Sequence, residues 1–161
     1  MRQIWAPWRM AYIQRDEQTS GCALCQSWVS HDDAAHYILY RGKRAYIMLN
    51  LYPYNNGHLM VVPYEHVASL EDLETETLTE LMVLVNRSLA GLREAMAPDG
   101  FNIGVNLGQA AGAGIHEHVH IHIVPRWEGD TNFMPLLAQT RVIPEMLEDT
   151  YAHLLRAIGG G

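Results

Sequence analysis

Residues 116–125 read His-Glu-His-Val-His-Ile-His-Ile-Val-Pro, and this stretch decides the fold. Histidine recurs at every second position, which is the period of a β-strand, where alternate side chains share one face. The apolar residues between the histidines predict a strand at 119–124 whose other face packs against the core. On this pattern one face carries a row of four imidazoles, from His116, His118, His120 and His122.

A row of imidazoles has three readings, namely ligands for a metal, nucleophiles or bases, and members of a polar core network. Four rings in a row make a poor core, because each one needs a hydrogen-bond partner and adds little apolar area. The pattern therefore predicts a functional site on this strand.

The segment 118–124, His-Val-His-Ile-His-Ile-Val, resembles the signature of the histidine triad superfamily. The resemblance extends over roughly residues 20–135, including Asn50, the Gly57-His58 pair and the Asn106-Leu-Gly108 turn. The opening Trp5-Ala-Pro-Trp-Arg and the Pro-Arg-Trp after the triad are similar to a bacterial diadenosine-polyphosphate phosphorylase/hydrolase-like, or fragile-histidine-triad, branch.

This resemblance implies a catalytic set of His118, His120 and His122. The middle histidine, His120, is expected to attack the α-phosphate of a nucleotide and form a covalent nucleotidyl-histidine. His122 is expected to contact phosphate oxygens or the leaving group. The final acceptor stays open between water, phosphate and a sugar phosphate. The implied substrate-binding residues are Asn50, as a ribose contact, Asn106, Gly112, Gly114 and His122.

The loop before the histidines is rich in glycine, which lets a backbone approach an anion closely. Many triad proteins carry Gln-Ser or Gln-Thr four and three residues before the first triad histidine, but this chain has Gly114 and Ile115 there. We expect backbone amides or His116 to replace those phosphate contacts.

The two cysteines form one Cys22-Ala-Leu-Cys25 motif, which fits a redox pair, half of a zinc site, or chance. A disulfide scaffold is disfavoured, because the chain is long enough for a core, and no βαβ context supports a thioredoxin-like pair. Similarity to triad proteins implies a structural zinc held by Cys22, Cys25, His66 and His118, with no metal needed for the chemical step. The alternative is two reduced, inert cysteines.

The composition limits the partners. With 161 residues, the chain is expected to be one domain over 1–161. A net charge of −7 with eleven scattered basic residues argues against a general nucleic-acid-binding surface. No run of eighteen apolar residues and no signal peptide are seen, so the sequence predicts no membrane partner and a cytoplasmic protein.

The rest of the chain predicts an α+β fold, with a five-stranded, mostly antiparallel sheet, one long helix and a C-terminal helix. We expect an irregular segment at 1–30, the core sheet and helix at 36–135, and the C-terminal helix at 144–158. The five strands are predicted at 37–40, 45–49, 58–62, 101–107 and 119–124. The family resemblance further implies a homodimer.

Further expectations concern single elements. Thr77 and Glu80 resemble a capping box before a helix with apolar residues at 78, 81, 82, 85, 89 and 92. Ile47 and Leu49 fit a base-pocket wall and core packing equally well, and His58 fits a core hydrogen-bonding residue.

The leading hypothesis is an enzyme that transfers or hydrolyses a nucleotidyl group of a dinucleoside polyphosphate. Two alternatives remain: a nucleotide-binding regulator with little turnover, and a metal-binding protein that uses the histidine row.

Overall fold

The computed structural model describes residues 21–130 and 144–160. The predictions for Trp5, Trp8 and the end of the core segment, 131–135, lie outside the described residues.

The core is one five-stranded sheet in which every neighbouring pair of strands is antiparallel. Along the chain the strands are β1 Ile38–Arg41, β2 Ala45–Leu49, β3 Leu59–Pro63, β4 Gly100–Val105 and β5 Ile121–Arg126. Their order across the sheet is β1-β2-β3-β5-β4, so β4 lies at an edge beside the histidine strand. The α+β fold with a five-stranded antiparallel sheet is confirmed.

One face of the sheet carries most of the core. Side chains at alternate positions pack there because a strand turns successive residues to opposite faces. Ile47, Leu49, Leu59, Val61 and Ile123 belong to this cluster and are at most 1% exposed. The long helix α2, Thr75–Met96, covers this face and contacts β2, β3 and β5.

The start of α2 differs from the expected capping box. The helix begins at Thr75, and its N-cap Glu74 makes no side-chain capping bond. Thr77 instead donates its hydroxyl to Glu65, and Glu80 accepts the backbone N–H groups of Arg44 and Ala45. The capping-box prediction is wrong because tertiary partners take both side chains.

The buried stripe of α2 also differs from the expected one at Met82, which is 55% exposed. Leu81, Val85 and Leu92 are buried as expected, and Leu78 and Leu89 are partly buried. The helix also buries Thr77, Leu84, Ser88 and Gly91. These positions follow the 3.6-residue period, which places Met82 outside the stripe.

The C-terminal helix α3 begins at Leu147 rather than at Pro144 and ends at Leu154, and one wider turn continues it through Leu155–Gly159. Leu154 and Ile158 are fully buried and join the core cluster under α2.

The opposite face of the sheet is covered by a short helix, α1, at Ala23–Val29. Its Leu24 packs on a second cluster with Tyr46, Met48 and Met60, and the Tyr46 hydroxyl donates to the Leu24 carbonyl at 2.8 Å. Trp28 packs against Tyr64, with ring centroids 4.9 Å apart. The segment predicted to be irregular at 1–30 therefore contains a helix that shields this face.

Within 21–130 and 144–160, no helix has the length and apolar character needed to cross a membrane.

Candidate functional site

The four histidines of 116–122 do not form one row. β5 begins at Ile121, so only His122 lies in a strand, and the preceding residues approach it in an irregular path. His116 is exposed and lies 3.9 Å from the Glu117 carboxylate, whereas His118 and His120 are buried. The prediction of one row of four imidazoles on a strand was wrong, because the chain bends before β5. The rings consequently contact different partners.

His118 is completely buried, and the partners of its two ring nitrogens are groups other than His120 and His122. Its Nε2 lies 2.9 Å from the Pro63 carbonyl, which can only accept, so Nε2 carries the proton. The lone pair is therefore on Nδ1, which faces both cysteines and His66.

His120 has the reverse arrangement. Its Nδ1 lies 2.8 Å from the His118 carbonyl and must donate to it, so the lone pair is on Nε2. An imidazole held in this tautomer is a competent nucleophile.

His122 is held by His58, which directly precedes β3. The Tyr54 backbone N–H donates to Nδ1 of His58 at 3.1 Å, so His58 carries its proton on Nε2. That Nε2 lies 3.0 Å from Nδ1 of His122, which accepts and so keeps its own proton on Nε2. His122 is thus a hydrogen-bond donor next to the lone pair of His120, whose ring centroid is 4.7 Å away.

Burial lowers the pKa of all three triad histidines. Desolvation is the largest cause for His118 and for His120. Desolvation is the largest cause for His122 as well, and repulsion between protonated forms of His122 and His120 is the second. Together they lower the pKa of His122 to about 4. The rings are therefore neutral near pH 7, as the nucleophile and donor roles require.

One pocket collects most of the residues expected to form the site. Its polar end brings together the side chains or backbone of Asn50, Asn106, Gly112, Gly114, His120 and His122. Its apolar end is formed by Ala23, Leu24, Met48, Met60 and Ile115, and the last four belong to or pack against the second core cluster. Ser27, Leu51, Tyr52 and Tyr54 also line the pocket. A cleft with one apolar and one polar end suits a ligand that is part base and part phosphate.

Asn50 follows β2 and its side chain is oriented by the next turn. Its Oδ1 accepts the backbone N–H of Tyr52 at 2.9 Å, so its amide nitrogen is the donor available to a ligand.

The glycine-rich loop lines the pocket but uses part of its own backbone. Gly108 and Gly112 have positive φ angles of 77° and 83°, which favour glycine. The N–H of Gly112 bonds to Gln109 and that of Ala113 to Gly108, which closes a 3₁₀ turn. His116 lines a neighbouring cavity with Glu117 and His66 and is not among the residues that line this pocket.

The expected metal ligands converge on one point. Ligand atoms of Cys22, Cys25, His66 and His118 all lie within 4.8 Å of one another. Four of the separations are 3.3–3.5 Å. Bond lengths of about 2.0–2.3 Å in a tetrahedral zinc site give edges of about 3.3–3.8 Å, so the donor set fits zinc. Burial, with the neighbouring Cys22 thiol, raises the pKa of Cys25 to about 11 in the metal-free chain.

Several pocket residues were not anticipated from the sequence. Met48 and Met60, not Ile47 and Leu49, line the apolar end, because the latter pair points into the α2 core. His58 is a core hydrogen-bonding residue as predicted, but its partner is His122. The sequence signal that could have placed Met48 at the pocket is the alternation of side chains along β2, which turns Met48 to the face opposite Ile47 and Leu49.

Comparison with known proteins identifies the family. The model of the HIT domain matches residues 32–129. An AP-4-A phosphorylase of Mycobacterium tuberculosis is 41% identical over 158 residues, which cover 93% of this chain and 80% of that protein. An asymmetrical bis(5'-nucleosyl)-tetraphosphatase of Schizosaccharomyces pombe is 32% identical over 105 residues, 65% of this chain and 57% of that protein.

Among solved structures, a zinc-bound histidine triad family protein from Mycobacterium smegmatis is similar with a TM-score of 0.69 and 29% identity. The match covers 86% of this chain and 94% of that one. The chain belongs to the HIT domain family.

Proposed function

We propose that the protein is a nucleotidyltransferase that cleaves dinucleoside polyphosphates at an α-phosphate through a covalent nucleotidyl-His120. The observation that carries the proposal is the pair of fixed tautomers in one pocket, an Nε2 lone pair on His120 beside an Nε2–H on His122. Similarity to the AP-4-A phosphorylase and to the asymmetrical tetraphosphatase supports the substrate class.

The reaction has two displacement steps at phosphorus. In the first, the Nε2 lone pair of His120 forms a bond to the α-phosphorus while the bond to the bridging oxygen breaks, and the polyphosphate nucleotide leaves. The positive charge on the modified ring is stabilised by the His118 carbonyl, which already accepts its Nδ1–H. His122 donates its Nε2–H to a phosphate oxygen, where charge accumulates.

In the second step, an acceptor oxygen attacks the same phosphorus from the face that the leaving group vacated. The nitrogen–phosphorus bond breaks and returns its electron pair to Nε2 of His120. Asn50, with its amide nitrogen oriented by the Tyr52 N–H, holds the ribose through both steps. We propose inorganic phosphate as the acceptor, because the 41% identical relative is a phosphorylase.

Incubation with diadenosine tetraphosphate tests this proposal, with and without inorganic phosphate. Attack at one α-phosphorus releases ATP, and transfer to phosphate yields ADP. ATP and ADP formed only when phosphate is present support a phosphorylase, whereas ATP and AMP without phosphate identify water as the acceptor. If neither condition gives turnover and mass spectrometry finds no nucleotidyl adduct on His120, the proposal is wrong.

We also propose that the Cys22, Cys25, His66 and His118 set holds zinc as a structural ion that ties α1 to the chain before β5. Four separations of 3.3–3.5 Å among the ligand atoms support zinc, and one similar structure is a zinc-bound family protein. Thiolate ligands need a reducing compartment, which supports a cytoplasmic location. Metal analysis of protein purified without chelator tests the ion, and cell fractionation tests the location.

We propose a homodimer formed through β4. Within residues 21–130 and 144–160 this strand pairs only with β5, and Ile103 is 47% exposed along it. An uncovered edge strand is a template for pairing with a second copy, and a two-fold axis would join two sheets into one.

A further inference from the structure

We propose that the metal centre positions the base-binding wall of the nucleotide pocket, so that metal loading sets the affinity for the base. This inference rests on the proposed function, because it assumes that the pocket holds a nucleotide. It assigns to Cys22 and Cys25 a positioning role in substrate binding.

Helix α1 carries both the metal ligands and part of the pocket. Cys22 precedes the helix and Cys25 lies in its first turn. Ala23 and Leu24, the two residues between them, line the pocket together with Ser27 one turn later. Because these two wall residues lie in the same helical turn as both ligands, about 1.5 Å apart along the axis, a displacement of the two cysteines is expected to move the wall.

The wall faces the part of the sheet where a base would lie. His122 is the cross-strand neighbour of Met60, and Met60 is the neighbour of Met48. Strands lie about 4.8 Å apart, so Met48 is about 10 Å from His122 along this row. A nucleotide whose α-phosphate lies at His120 and His122 therefore places its base over the two methionines, beneath α1.

Within the described residues, the N-terminal end of α1 is held by the packing of Leu24, by one hydrogen bond from Tyr46 and by the metal-ligating side chains. The helix has seven residues, a length that is unstable alone, and Cys22 provides no side-chain cap. The Tyr46 hydroxyl holds the Leu24 carbonyl, and Arg41 donates to the Trp28 carbonyl at 2.9 Å near the other end. Linkage of Cys22 and Cys25 to His66 and His118 therefore adds a further restraint on the turn that contains Ala23, beside the packing of Leu24 and the Tyr46 hydrogen bond.

The phosphate end of the pocket is supported separately. His118 donates its Nε2–H to Pro63, and His120 and His122 take their tautomers from the His118 carbonyl and from His58. None of these bonds uses a metal-ligating atom. Loss of the metal is therefore expected to weaken contacts to the base while leaving contacts to ribose and phosphate.

Two probes separate these ends, namely AMP and ribose 5-phosphate, which lacks the base. Calorimetric titration uses the zinc-loaded protein, the chelated protein and the chelated protein with zinc restored. We expect chelation to weaken AMP binding at least 10-fold, to leave ribose 5-phosphate binding within about twofold, and to be reversed by zinc. Equal loss of both ligands, or no loss of either, overturns the inference.

A second arm keeps the ligands intact in case the chelated protein unfolds. Ala23→Trp alters the wall between the cysteines, and Val29→Trp, at an exposed position of the same helix, is the matched control. With zinc content verified as unchanged, Ala23→Trp is expected to weaken AMP but not ribose 5-phosphate, and Val29→Trp neither. An unchanged AMP affinity in Ala23→Trp overturns the assignment of α1 as the base wall.

The outcomes also separate this inference from the proposed function. Zinc-loaded protein that binds neither probe contradicts the nucleotide pocket itself, and with it the inference. Loaded and chelated proteins that bind AMP equally well contradict the inference alone.

Discussion

At the scale of the residue, identical side chains two positions apart acquire different chemistry from their hydrogen-bond partners. The Pro63 carbonyl leaves His118 with a lone pair on Nδ1, whereas the His118 carbonyl leaves His120 with one on Nε2. His122 differs again, because His58 donates to its Nδ1. The metal ligand, the candidate nucleophile and the candidate donor are therefore distinguished by their partners, of which Pro63 and His58 are distant in sequence and the His118 carbonyl is local.

Replacement of the candidate nucleophile should separate chemistry from binding. We expect His120→Ala to lose at least about 10³-fold in kcat/KM with diadenosine tetraphosphate, since no other described ring presents a fixed Nε2 lone pair to this pocket. His116→Ala is the control, because its exposed ring lines the neighbouring cavity, and its activity should stay within about threefold. Circular dichroism verifies folding, and full activity in His120→Ala would remove this residue from the mechanism.

The depressed pKa of His122 gives a prediction about pH. Burial and the neighbouring His120 lower it to about 4, whereas an unfolded histidine takes up a proton near 6.5. The unfolded chain therefore binds more protons between these values, so the free energy of unfolding should fall as the pH is lowered from about 6.5 toward 4.

Imidazole NMR signals assigned with His122→Asn provide the measurement. We expect the His122 ring to remain neutral at pH 5.5 in the folded protein. A His122 ring that titrates near 6.5 would contradict the buried, neutral donor.

At the scale of the element, local sequence patterns predicted which strands and helices exist more accurately than they predicted the residues at which these elements begin and end. The period of two found β5 and the period of 3.6 found α2, since both follow from burial of one face. The capping box at Thr77 failed because Glu65 and the β1–β2 turn bind the two capping side chains. Helix α1 was missed because seven residues with one CxxC motif carry no clear period.

Close packing of α2 against the C-terminal turn yields an element-scale prediction. A Cβ at the buried Gly91 would meet the Ile158 side chain at less than van der Waals contact. Alanine gains about 1 kcal/mol in helix propensity, but overpacking costs about 1–3 kcal/mol. We expect Gly91→Ala to lower the free energy of unfolding by about 1 kcal/mol.

Urea denaturation of a double-mutant cycle tests this contact. In Gly91→Ala/Ile158→Ala the clash is removed, so the double variant should be less destabilised than the sum of the single variants. Ala90→Gly, at the exposed neighbouring position, should instead cost about 1 kcal/mol through propensity alone. A stabilised Gly91→Ala would show that the two segments are not in contact.

At the scale of the whole molecule, the described part of the sheet ends on a strand that the proposed second copy would extend. β4 is the edge next to the histidine strand, so a dimer through β4 would place two sites near one interface. Ile103→Lys puts a charge on that edge, and light scattering is expected to show a shift from dimer to monomer. Val83→Lys, at an apolar residue of α2 with 58% exposure, should remain dimeric. A wild-type monomer at all concentrations, or a dimeric Ile103→Lys, contradicts the β4 interface.

The sequence by itself determined the fold class, the family and most of the histidine strand, and the resemblance to that family implied the four members of the metal cluster. The fold class and the strand follow from side-chain periodicity and the family from the histidine motif, which are local properties of the chain. Only the tertiary structure decided that His58 orients His122, that Met48 rather than Ile47 faces the pocket, and that α1 closes it. Each of these depends on which strand lies beside which and on which face is covered, and cross-strand neighbours such as Met60 and His122 are far apart in the sequence.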